Sequence, residues 1–178
     1  MADEPTATTV AGTFRFQCSS CHKVHVGSPS VAYRFPDHYA QLTDEERKTI
    51  GTAQSDFCQV RDDYFIRTLL EVPIIGAPEP FVWGVWISVS KENFFRYWDS
   101  FDDPTEVHTY FGWLCNQLPG HPNTLQLKTV ASTRLDGNRP DIWLEECDHP
   151  FALDFHHGMS NERAQEIGEI ATRTAATG

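Results

Sequence analysis

The sequence predicts an α+β fold: one domain with a mainly antiparallel sheet of about six strands, a few helices and an N-terminal Cys/His zinc knuckle. Three observations predict it. Phe81-Val-Trp-Gly-Val-Trp-Ile-Ser-Val89 is apolar on both faces, as a central strand covered on both sides must be. Asp136-Gly137 stands between two β-rich runs, the composition of a tight hairpin turn. Short helical patterns with their own caps are interspersed between the strand-like runs rather than gathered at one end. At 178 residues, with 40% hydrophobic and 12% aromatic content, the chain suits one core able to fold alone.

Residues 1–12 are small, polar and acidic and read as a frayed tail, so the domain is expected over 13–178. Phe14-Arg-Phe-Gln17 alternates and leads as a short strand into Cys18-Ser-Ser-Cys21-His22-Lys-Val-His25. Thr43-Asp-Glu-Glu46 is a capping box that predicts a short helix to about Ile50. Asp56–Val60 and Tyr64–Val72 flank Arg61-Asp-Asp63 and read as a hairpin. Ser90 caps a predicted helix to Phe101, with Phe94, Tyr97, Trp98 and Phe101 at three- and four-residue spacing. Thr109–Asn116 suits a strand, with a helix as the alternative, and Thr124–Leu135 and Pro140–Cys147 suit two more strands. Ser160 caps a last helix with Ala164, Ile167 and Ile170 turned inward. Most of the five tryptophans are expected in the core of so aromatic a sheet.

The formal net charge of −11 opposes binding to phosphate backbones and anionic lipid, and it suits a basic protein partner. No run of about 18 apolar residues is present to span a membrane. The N-terminus lacks the basic and apolar regions of an export signal, and the five cysteines have no disulfide-framework spacing. A cytoplasmic protein with reduced thiols is therefore expected.

The segment 18–25 concentrates the chain's metal-capable side chains. Two thiols three residues apart can reach one ion across a turn, and zinc favours such sulfur and nitrogen donors. Haem attachment fits Cys18-x-x-Cys21-His22 but requires export, and a redox dithiol fits a strand-to-helix turn that the following residues oppose. Unligated thiols remain the plain alternative to zinc. His25 is preferred over His22, because a residue next to a ligand points away in an extended segment. Cys58 is the expected fourth ligand, since it opens a nearby strand, giving a structural Cys18, Cys21, His25 and Cys58 site. A second polar cluster, Asp148-His149 with His156-His157, suits a metal-dependent hydrolase, though a strand end with a turn accounts for it more simply. Arg67 and Arg139, on or beside strands, are expected in internal ion pairs.

Taken together, Cys18-x2-Cys21-x3-His25, Asp56-Phe-Cys58, Trp83-Gly-Val-Trp86-Ile-Ser-Val-Ser90, Phe111-Gly-Trp-Leu114, Leu118-Pro-x-x-Pro122, Arg139-Pro140 and Asp148-His149-Pro150 resemble one family. It is the uncharacterised bacterial set known as domain of unknown function 2199, and the resemblance extends over about residues 14–170. It implies a single bacterial cytosolic domain and supplies no activity, substrate or catalytic residue. The chain departs from the family's pattern at His121, where tyrosine is expected, and at Phe151, where leucine is. The function expected from these readings is a zinc-stabilised binding or interaction module, with the hydrolase near Asp148 and His149 as the alternative.

Overall fold

Fifteen elements order the chain in the structure, a computed structural model that describes residues 14–18 and 21–176, with side chains to residue 171. The tail expected over residues 1–12 lies outside the described residues. A two-stranded hairpin, β1 (Arg15–Gln17) with β2 (Val24–Val26), precedes an eight-stranded sheet. That sheet holds β3 (Ser30–Ala32), β4 (Gly51–Ala53), β5 (Phe57–Val60), β6 (Asp63–Val72), β7 (Phe81–Val89), β8 (Thr109–Leu114), β9 (Lys128–Ser132) and β10 (Asp141–Leu144). The helices are α1 (Asp37–Ala40), α2 (Asp44–Ile50), α3 (Lys91–Ser100), α4 (Pro150–His157) and α5 (Asn161–Ala176).

Five of the strands close on themselves. β6 through β10 run up and down in chain order, each antiparallel to the one before it. An odd number of strands in that order ends with its first and last members running the same way, and β10 does pair β6 in parallel at Asp141↔Leu69. The amide of Leu69 donates to the Pro140 carbonyl at 2.8 Å beside that contact. The result is a small barrel, with β5 and β4 extending it beyond β6, and β3 lying parallel to β7. Closure removes edges that would otherwise expose unpaired backbone groups.

Alternation along the strands sorts the side chains. Ile66 and Leu70 of β6, Val85 and Ile87 of β7, Tyr110 and Leu114 of β8 all belong to one large buried cluster. α3 is capped by Ser90, whose hydroxyl accepts from the Asn93 amide at 3.2 Å, and it packs Phe94 edge-on to Phe57 at 5.5 Å. α2 has the full capping box of Thr43 and Glu46. α4 sets Phe151 edge-on against Trp83 at 6.3 Å.

A smaller cluster of Cys58, Val60, Phe65, Trp86 and Cys115 occupies the other face, under Tyr33, Tyr39 and Leu42. Buried Asn116 fastens this cover. Its Oδ1 accepts from the Trp86 amide at 2.8 Å, and its Nδ2 donates to the Phe35 carbonyl at 2.9 Å and to Asp37 at 3.1 Å.

The mixed, mainly antiparallel single domain agrees with expectation, and residues 109–114 form a strand rather than a helix. Two expectations need correction. Among the described residues the strands number ten rather than about six, because β2, β3 and β4 are three-residue pieces too short to carry a pattern. The Asp148-His149-Pro150 segment opens a helix rather than ending a strand: Pro150 sits at the first helical position, where its missing N–H costs nothing.

Candidate metal centre

Hairpin register builds the site. Phe16 lies directly opposite His25, and Cys18 lies two residues beyond Phe16 and so on the same face. The Cys18 amide donates to the Lys23 carbonyl and the His22 amide to the Cys18 carbonyl, both at 2.9 Å, which closes the turn over Cys21. His22 adopts the left-handed region at φ 57°, and this reverses the chain into β2. Cys21 Sγ comes to 3.2 Å from His25 Nε2. The donor atoms of Cys18, Cys21 and His25 all lie within 4.8 Å of one another. Tetrahedral zinc with bonds of about 2.0–2.3 Å separates its donors by roughly 3.5–3.8 Å, so small side-chain adjustments suffice for one ion.

The hairpin is anchored from below. The His25 ring stacks on Phe16 at 5.0 Å and 17°, with the Phe16 and Cys18 side chains buried. α5 supports both: Gln165 donates to the Gln17 carbonyl at 3.3 Å. A Cβ on Gly168 would meet Pro29 at 3.3 Å and Phe16 at 3.6 Å. The pocket is therefore half rigid, with buried Cys18 and stacked His25 on one side and exposed Cys21 on the turn.

Of the four ligands expected from sequence, the structure brings together Cys18, Cys21 and His25 and leaves Cys58 elsewhere. β3 stands beside β7, then β6, then β5, so Cys58 lies three strand spacings from β3, about 14 Å. It pairs with Phe65 across the hairpin and is buried in the smaller cluster. Burial pushes its thiol up to about 12, and its place in the apolar cluster away from the three donors is what keeps it out of the site. Cys115, in the same cluster, is pushed up to about 11, first by burial. No other described His, Cys, Asp or Glu joins the three donors.

Two imidazoles of the second polar cluster are committed to backbone, and Asp148 and His157 are exposed. His149 caps α4: its Nδ1 accepts from the Phe151 amide at 3.1 Å, so Nε2 carries the proton and donates to the Asn123 carbonyl at 3.0 Å. His156 Nε2 donates to the Leu144 carbonyl at 2.9 Å. Both nitrogens of His149 are thus occupied, and no three-donor group forms there among the described residues. His121, with its side chain wholly buried, bridges Asp154 at 3.0 Å and the Pro119 carbonyl at 3.1 Å. Arg139 pairs with buried Asp56, the internal ion pair expected of it.

Sequence reasoning misplaced the tryptophans. Trp83 and Trp86 are wholly buried, but Trp98, Trp113 and Trp143 are exposed. The signal was present: Tyr110-Phe-Gly-Trp-Leu114 and Ile142-Trp-Leu144 alternate, and their neighbours Leu114, Ile142 and Leu144 take the core positions. Among the described residues no helix is long and apolar enough to cross a membrane.

Over residues 17–159 the chain matches a family described as uncharacterized proteins conserved in bacteria, domain of unknown function 2199. No curated protein and no solved structure matches it.

Proposed function

The chain belongs to this bacterial family of uncharacterized proteins, and from its geometry we propose a binding module whose N-terminal hairpin is stapled by structural zinc held by Cys18, Cys21 and His25. The observation that carries the reading is the convergence of three zinc-type donors within 4.8 Å on one hairpin. The hairpin has need of such a staple. β1 and β2 are three residues each, Val24 and Val26 are exposed, and an isolated two-stranded ribbon is marginal in water. Zinc supplies folding free energy of order ten kcal/mol in small modules. Here it fixes the ribbon against α5. The absence of nucleic-acid and membrane affinity expected from the net charge of −11 belongs to the same reading. So does a cytoplasmic setting, where thiols stay reduced.

One observation favours a second reading. Three described donors leave one corner of a tetrahedron, and catalytic zinc sites keep such a corner for water. A hollow of about 450 Å³ opens beside His25, between the hairpin, β3 and Gly168 of α5. A hydrolase in this protein would sit there rather than at Asp148 and His149, whose imidazole already serves the α4 cap.

Cobalt(II) substitution tests both. A tetrahedral thiolate spectrum lost in Cys21→Ser supports the site. A spectrum unmoved by azide or cyanide supports a closed structural ion, and one shifted by those anions supports the open, catalytic alternative. No thiolate-to-cobalt band at all would refute both.

A further inference from the structure

The outer face of the barrel carries an aromatic notch, and we infer that it is the docking surface for an arginine-bearing segment of a basic protein. Strand register defines the notch without ambiguity. Phe111 of β8 lies opposite Val130 of β9, which lies opposite Trp143 of β10. All three point outward, 49%, 41% and 52% exposed, and Trp113 beside them is 39% exposed. Trp113 braces Phe111 edge-on at 5.2 Å. The two outer strands stand two spacings apart, roughly 9.6 Å, with the short Val130 side chain as floor between the rings. A planar guanidinium stacked between two ring faces needs about 7 Å, two van der Waals contacts of about 3.5 Å. The strand spacing leaves backbone room of that order for one such group, and weakly hydrated arginine is the cation best suited to aromatic faces.

Charge identifies the occupant further. The cations bordering the face are already neutralised: Lys128 pairs with Glu145 at 3.3 Å, and Arg134 pairs with Asp136 at 2.7 Å and Asp141 at 3.1 Å. Glu71, two residues beyond the Leu69 that partners Asp141 and so level with Trp143, is exposed and in no ion pair among the described residues. The surface thus presents aromatic faces with an uncompensated carboxylate beside them, on a chain of net charge −11. That combination attracts a basic segment, repels a nucleic-acid backbone, and disfavours a second copy of the same acidic chain. The inference goes beyond the zinc reading and does not depend on it, since every residue of the notch lies on the barrel.

The test is an NMR titration of the metal-replete chain with the capped peptide Gly-Arg-Gly-Arg-Gly, against its Lys and Gln counterparts, following the tryptophan indole N–H signals. The arginine peptide is expected to move the Trp143 and Trp113 signals, the lysine peptide to do so more weakly, and the glutamine peptide not at all. Trp143→Ala should weaken binding about tenfold, the scale of one desolvated cation–aromatic contact. Trp98→Ala, on α3, should leave it unchanged. If Trp143→Ala fails to fold, Glu71→Gln gives the same reading, with about a twofold loss expected from removing one nearby charge. Shifts confined to the acidic first turn of α2, or equal affinity for the arginine peptide in Trp143→Ala, would overturn the inference. Binding of a single-stranded oligonucleotide to these tryptophans would overturn it too. So would concentration-dependent dimerisation abolished by Trp143→Ala, which would assign the face to a second copy.

Discussion

Two pairs of cysteines in this chain are put to opposite use. Cys18 and Cys21 sit on a short hairpin with an imidazole nitrogen 3.2 Å from the second sulfur and little apolar cover on the turn. Cys58 and Cys115 sit among Val60, Phe65 and Trp86, where burial holds both thiols protonated. Cys18 is as buried as Cys58, so the company of other donors separates the pairs: Cys18 has Cys21 and His25 within 4.8 Å, while apolar side chains surround Cys58. The first pair can hold an ion, and the second behaves as small hydrophobic side chains.

Breaking that contrast should have its largest effect at the hairpin. Cys18→Ser is expected to lose the metal and release Phe14 and Phe16 from the core. Burying two phenylalanines contributes roughly 3–6 kcal/mol, so a loss of that order is expected in denaturant titration. Cys58→Ser should keep the metal and lose about 1–3 kcal/mol, the cost of burying a hydroxyl without a partner, while Cys58→Ala loses less.

A sharper version needs no mutation. Iodoacetamide at pH 8, with mass mapping, should modify exposed Cys147 whether or not metal is present. Chelation should open Cys18 and Cys21 to modification, while Cys58 and Cys115 stay unmodified until the barrel unfolds. Labelling of Cys58 on chelation alone would join the two regions that the structure separates.

The smallest effect concerns pH. Burial holds His121 below the usual imidazole value, outweighing the hydrogen bond its ring donates to the Asp154 carboxylate, which raises it. A base with a depressed folded value binds protons less readily when folded than when unfolded. Its contribution is complete above the unfolded value of about 6.5 and is lost as pH falls toward the folded one. Replacement by glutamine should flatten the stability slope below about pH 6.5, measured by melting at a series of pH values, and leave metal content unchanged.

Local chemistry made much of this legible before any coordinates. The Thr43–Glu46 capping box and the Ser90 cap each stand in their own few residues and form as expected, while Asp136-Gly137 does lie between two paired strands but within an eight-residue connection, 133–140, rather than a tight turn. The choice of His25 over His22 followed from strand alternation and agrees with the register that sets His25 opposite Phe16. What escaped was non-local. Cys58 looks near Cys21 along the chain, yet β3, β7 and β6 come in order before β5, and no short-range signal encodes that. Barrel closure depends on counting strands correctly, and two of them rest on four or five residues. His149 reads as a chemical group because histidine so often is one, while its neighbour Pro150 was marking a helix start. Trp113 and Trp143 escaped because hydrophobicity outweighed the period of the strands that carry them, β8 and β10.

Elemental analysis of three proteins purified without added metal examines the zinc-stapled hairpin most directly: the natural chain, Cys18→Ser and Cys58→Ser. The account predicts one zinc per chain in the natural protein and in Cys58→Ser, and none in Cys18→Ser. An empty natural protein, or zinc lost from Cys58→Ser while its barrel remains folded, would contradict it.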